Sequence, residues 1–100
     1  MWLITPVGFF SVVQKTGDIA ADTLTVRARV RGDLDALREH YLPSLSPVQE
    51  SKTNDYRFRA VAPRADVAAA MASMVNQLKY SNFKSQVATV QGNARAHLYH

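Results

Sequence analysis

Two short segments place arginine at every second position. Residues 24–31 read Leu-Thr-Val-Arg-Ala-Arg-Val-Arg, and residues 55–61 read Asp-Tyr-Arg-Phe-Arg-Ala-Val. A guanidinium is a planar fork of donors that matches a phosphate or carboxylate with two parallel hydrogen bonds. Five such groups, Arg27, Arg29, Arg31, Arg57 and Arg59, are the chain's best candidates for contact with an anion. With the period of a strand, Leu24, Val26, Ala28 and Val30 face one way and Thr25, Arg27, Arg29 and Arg31 the other. In the second segment Tyr56, Phe58 and Ala60 share the apolar side, while Asp55, Arg57, Arg59 and Val61 take the opposite one. If both strands join one sheet, one face is apolar and the other carries the arginines.

Such a face has a plainer explanation. Any sheet with one face in water alternates polar and apolar residues, and an arginine stem covers neighbouring apolar surface well. Exposed arginines one strand apart repel by about 1 kcal/mol or less, and Glu50 and Asp55 are placed to offset part of that. The functional reading gains from aromatics, since open sheets that bind single-stranded nucleic acid combine cations with stacking rings. Parity assigns Tyr56 and Phe58 to the core. That leaves whichever of Phe9 and Phe10 faces outward, together with Trp2. The sequence signature of the commonest RNA-binding sheet is absent.

Other chemistries are poorly supported. The chain has no cysteine, which excludes a thiol nucleophile, a cysteine zinc site and any disulfide. His97 and His100 are three apart, as on one side of a helix, but no acidic residue in the last thirty supplies a third metal ligand. No metal site or cofactor is expected. Ser11 lacks the glycines of a nucleophile elbow. The glycines at 8, 17, 32 and 92 are too dispersed for a phosphate-binding loop. Asp33 and Asp35 suit the start of a helix, where carboxylates meet the positive end of the dipole. Lys84, in Tyr-Ser-Asn-Phe-Lys at 80–84, is an unusual charge for a helix start and extends the candidate anion-binding set.

The elements that must carry these residues follow from pattern. Residues 2–15 read as strand, in one or two pieces, with Pro6 and Gly8 marking a bend. Residues 15–22 hold a Gly-Asp turn and link to the arginine strand at 23–31. A helix follows, capped by Asp33, with Leu34, Leu37 and Tyr41 on one face and a stop before Pro43. Residues 46–51 allow a short strand, 52–54 a turn, and 55–62 the second arginine strand. Pro63 suits the first turn of a helix striped by Val67, Met71, Met74 and Leu78. A last helix begins near Ser81 or Asn82, with Phe83, Val87, Val90, Ala94 and Leu98 in its stripe. The order is ββαββαα. It predicts an α+β two-layer sandwich, ferredoxin-like or related, with a mainly antiparallel four-stranded sheet and the helices on one face.

One hundred residues with 47% hydrophobic content make a single domain, 1–100, able to bury its own core. The net charge of +4 favours anionic partners. No apolar run reaches membrane-spanning length, and the N-terminus lacks the charged lead of a signal peptide. The expected location is the cytoplasm.

Taken together, the N-terminal Met-Trp-Leu-Ile-Thr-Pro-Val-Gly-Phe-Phe, the two arginine segments, Tyr-Leu-Pro, Tyr-Ser-Asn-Phe-Lys and the terminal Ala-His-Leu-Tyr-His resemble a family of small bacterial proteins of unknown function. The resemblance implies a bacterial, cytosolic, single-domain protein whose relatives run a few residues further, and it assigns no catalytic residue. From the residues themselves the leading expectation is a non-enzymatic module that binds nucleic acid or another polyanion through the sheet arginines. One alternative is a homodimerising interaction module using a sheet face or edge. Another is a small enzyme that clamps an anionic metabolite with the arginines and uses Asp55 or a histidine as base.

Overall fold

The computed structural model describes residues 1–79. Five strands and three helices follow in the order ββαβαββα: β1 (Trp2–Thr5), β2 (Gly8–Val13), α1 (Thr16–Ala21), β3 (Thr23–Ala28), α2 (Arg31–His40), β4 (Gln49–Glu50), β5 (Phe58–Pro63) and α3 (Arg64–Asn76). The strands form one sheet in the order β1-β2-β3-β5-β4, and every neighbouring pair is antiparallel. The α+β class and the antiparallel sheet agree with the sequence pattern. The four-strand count and the ferredoxin-like order are not reproduced. Residues 2–13 divide into two strands, and a helix stands where a simple turn was expected at 15–22. The last helix expected from the sequence lies outside the described residues.

The first hairpin turns through only Pro6 and Val7. Thr5 makes this possible. Its hydroxyl donates to the Gly8 carbonyl at 2.9 Å and accepts from the Val7 and Gly8 amides at 3.3 and 3.1 Å. The turn's backbone groups are thereby satisfied at a site where Val7 is buried.

One face of the sheet carries the core. Phe10 and Val12 of β2, Val26 and Ala28 of β3, and Ala60 and Ala62 of β5 meet Leu34 and Leu37 of α2 and Val67 and Ala70 of α3. The small alanines leave room for helices to lie close to the sheet. The stripe on α3 is Val67, Ala70, Met71 and Met74. Leu78 lies past the end of that helix and is exposed, not part of the stripe. After α2 the chain buries Leu42 and Leu45 and is tied to the sheet. Arg38 bonds the carbonyls of Leu45 and Ser46, and Ser46 and Val61 exchange bonds at 2.8 Å through the Ser46 amide and hydroxyl.

Asp33 does not cap α2 as the sequence suggested. Val30 is the N-cap, and Asp33 lies in the first turn, buried, where its carboxylate accepts the Phe9 amide at 3.1 Å. The helix starts three residues earlier than expected and takes Arg31 out of the strand. This packing brings Asp33 against Gly8. A Cβ on Gly8 would stand 2.7 Å from both Cβ and Cγ of Asp33 and 2.8 Å from Cζ of Phe10.

α1 lies toward the other side of the sheet. Its buried Asp18 accepts from the hydroxyls of Thr23 at 2.5 Å and Thr25 at 2.8 Å, and from the Lys15 amide at 2.8 Å. Thr25 shares the parity of Arg27, so not every helix is on the core face. Burial alone opposes ionisation of Asp18. The hydrogen bonds from Thr23, Lys15 and Thr25, with the charge of Arg64, outweigh it and hold its pKa below the ordinary aspartate value.

Two outcomes follow. Gly8→Ala should lower stability by about 1–3 kcal/mol, read by thermal or urea melting, because three atoms held in packed positions must move. A folded-state pKa below the unfolded value of about 3.9 means that Asp18 contributes stability above that value and loses it as pH falls through the folded one. Asp18→Asn should therefore cost about 1–3 kcal/mol at neutral pH. The gap to the parent should close in urea melts repeated at successively lower pH.

Candidate anion-binding face

The face opposite the core is built by register. Trp2 pairs with Ser11, Ser11 with Arg27, Arg27 with Arg59, and Arg59 with Gln49, a single row across all five strands. The same parity places Ile4 and Phe9 beside that row. The core dictates this arrangement. Once Val26 lies opposite Ala60 and Ala28 opposite Phe58, Arg27 has no place but opposite Arg59.

Tyr56 is the hub of the site, contrary to the sequence reading that put it in the core. β5 begins only at Phe58, so the strand's alternation does not extend back to Tyr56. The loop folds its ring onto the arginine side. The Arg27 guanidinium lies 5.0 Å from the ring centroid and that of Arg29 5.4 Å. Arg29 is also 5.6 Å from the centroid of Phe9. Arg59 donates to the Tyr56 carbonyl at 3.3 Å, and Arg27 to the Ser11 hydroxyl at 2.8 Å. Phe58 follows its expected parity and packs against the core.

Three of the predicted residues, Arg27, Arg29 and Arg59, are thus brought together around Tyr56, the first two at its ring and the third at its carbonyl. Arg31 is exposed in the first turn of α2, and Arg57 is exposed in the loop before β5, its carbonyl accepting the Ser51 amide at 2.7 Å. Lys84, His97 and His100 lie outside the described residues. Of the two aromatic options, Phe9 faces outward while Phe10 is fully buried. Trp2 is 72% exposed.

The electrostatics of the face are uncompensated among the described residues. The ion pairs there are Arg38 with Asp35 and Arg64 with Asp22, both away from this cluster. Neither Glu50 nor Asp55 forms an ion pair with these arginines. The Nε atoms of both Arg27 and Arg59 are buried without a hydrogen-bond partner. A buried donor left unpaired is costly, and like charges directly opposite on a sheet destabilise it. Three contacts between guanidinium and ring offset part of that. No group of three or more potential metal ligands occurs among the described residues.

A groove of about 850 Å³ opens elsewhere, between β1 and the ends of α2 and α3, lined chiefly by Leu3, Ile4, Tyr41, Met71, Met74 and Leu78. Among the described residues its lining includes no arginine; its polar members include His40 and Lys79. No helix of the described residues is long and apolar enough to cross a membrane. Comparisons with family models, with curated proteins and with solved structures give no match.

The cross-strand pair has a measurable consequence. Arg59→Gln removes one of two opposed charges and should raise stability by about 0.2–1 kcal/mol in low-salt denaturation. The difference from the parent should shrink as salt screens the pair.

Proposed function

We propose that this protein binds a polyanion, and most specifically a nucleic acid, through the face centred on Arg27, Arg29 and Arg59. The observation that carries this reading is the pairing of Arg27 with Arg59 in adjacent strands with no carboxylate partner among the described residues. A phosphate seated against them relieves the repulsion and takes up donor capacity left on the guanidinium nitrogens. Arg57 and Arg31, both exposed, extend the cationic surface toward the loop and the start of α2.

Phosphate contacts of this kind fix the position of a backbone and carry little sequence information. The exposed indole of Trp2 and the half-buried ring of Phe9 lie on the same face. They offer stacking surface to unpaired bases, which duplexes do not present. Weakly selective binding of single strands is the expected behaviour. The resemblance to small bacterial proteins fits a cytosolic partner of this type.

Fluorescence anisotropy with labelled single-stranded RNA, single-stranded DNA and duplex DNA, at roughly 50 and 200 mM salt, tests the reading. Micromolar binding to the single strands should weaken with salt. In Arg29→Glu/Arg57→Glu, where both positions are exposed and folding is preserved, affinity should drop at least tenfold. Absence of binding to all three probes at the lower salt overturns the proposal.

A further inference from the structure

The two edges of the sheet are built differently. β4 is a two-residue strand containing Glu50, preceded by Pro47 and followed by Lys52. Short length, charge and proline are the devices that keep a sheet edge from pairing with another chain. β1 is twice as long, has no charge or proline within its four residues (Pro6 follows in the turn), and no ionisable side chain occurs between Met1 and Gln14.

The hydrogen bonds of β1 show which of its backbone groups point outward. Met1 and Val12 exchange both bonds, at 2.7 and 2.9 Å. Bonded pairs alternate along an antiparallel ladder, so Leu3 with Phe10 and Thr5 with Gly8 also face inward. The amides and carbonyls of Trp2 and Ile4 therefore point away from β2, at a sheet edge that pairs with no other strand among the described residues. Their side chains are 72% and 57% exposed. The apolar surface continues around the edge to Val75 and Leu78, also exposed, at the groove beside β1.

We propose that β1 pairs antiparallel with β1 of a second copy, about a two-fold axis passing between the two Leu3 residues. The outward groups select this register. Trp2 of each copy lies opposite Ile4 of the other and exchanges both bonds with it, which gives four new hydrogen bonds. A register centred on Trp2 or on Ile4 aligns only one such pair. The interface is isologous, the commonest kind in homo-oligomers. Charge favours the same edge. A chain of net charge +4 meets its copy here through a segment with no ionisable side chain. The two Arg27 positions stay five strand spacings apart, about 24 Å. That is well beyond the screening length of about 8 Å at physiological salt. The result is a continuous ten-stranded sheet with both arginine clusters on one surface.

The absence of cysteine from the chain makes the register directly testable without nucleic acid. Opposed Leu3 residues form a non-bonded pair with Cα atoms about 4.5 Å apart, within disulfide range. Leu3→Cys should give a covalent dimer on mild oxidation. Trp2→Cys should not, because Trp2 of one copy is displaced by two residues from Trp2 of the other. Sedimentation of the parent over a dilution series should show twice the monomer mass falling to the monomer mass. Ile4→Pro removes an outward amide that the monomer's own ladder does not use, a position where edge strands accept proline. It should be monomeric throughout, with folding confirmed by circular dichroism. A monomeric parent at every concentration, an undiminished dimer in folded Ile4→Pro, or equal crosslinking of the two cysteine variants overturns the proposal.

Discussion

The register of β3 against β5 is the constraint on which the rest of the molecule depends. β3 is the central strand, and its apolar residues must lie over α2 and α3. Val26 opposite Ala60 and Ala28 opposite Phe58 achieve this. Because side chains alternate, a slip of one residue would turn the alanines outward and bury the arginines, which no core of this size tolerates. Arg27 opposite Arg59 is thus a by-product of core packing in position, though not in residue type. Threonine would satisfy the same geometry without repulsion, and Thr25 does so one pair along the same strand.

The helices act on that sheet through a few close contacts. Asp33 links α2 to the Phe9 amide, and the missing side chain of Gly8 lets the helix approach the hairpin. The same contact orients Phe9 toward Arg29 on the far face. On the other side Asp18 ties α1 to Thr23 and Thr25 and holds down the end of β3 that lacks arginine. Each aspartate accepts a backbone amide as well as fixing a tertiary contact. Buried carboxylates are retained in proteins on those terms.

How much of this was legible in the sequence depended on whether the signal was periodic or local. Alternation located β3 and β5, the core parity of Val26, Ala28, Phe58 and Ala60, and the outward parity of Arg27 and Arg59. Helical spacing located α2 and α3. Period failed where elements end. Tyr56 was assigned to the core by extending a strand two residues past its start, and Arg31 to the sheet by extending another three past its end. Nothing in Asp-Tyr-Arg announces that the strand begins later. The strand's start depends on the loop anchored by the Ser51 amide on Arg57 and on the pull of two guanidinium groups on the ring. The helix at 16–21 was missed because Thr-Gly-Asp reads as a turn, and because its stability comes from Asp18 reaching across to Thr23 and Thr25. Strand order and the position of β1 at one edge of the described sheet depend on pairings that no single segment encodes.

The energetic balance of the arginine face bears on why such a face persists. Opposed like charges cost up to about 1 kcal/mol, and two unpaired buried donors add to that. Against a typical domain stability of about 5–15 kcal/mol, such a cost is bearable but far from negligible. Cation–π contacts to Tyr56 and Phe9 recover part of it while leaving the positive charge in place, because a ring attracts a cation without neutralising it. A carboxylate at Tyr56 would stabilise the fold more and would cancel the field. The choice of an aromatic partner over an acidic one keeps the guanidinium groups ordered and still cationic. Ordering them in advance lowers the entropy lost when an anion is bound. On that argument the proposed binding of a phosphate would return the part of the stability that the opposed charges give up in the free protein.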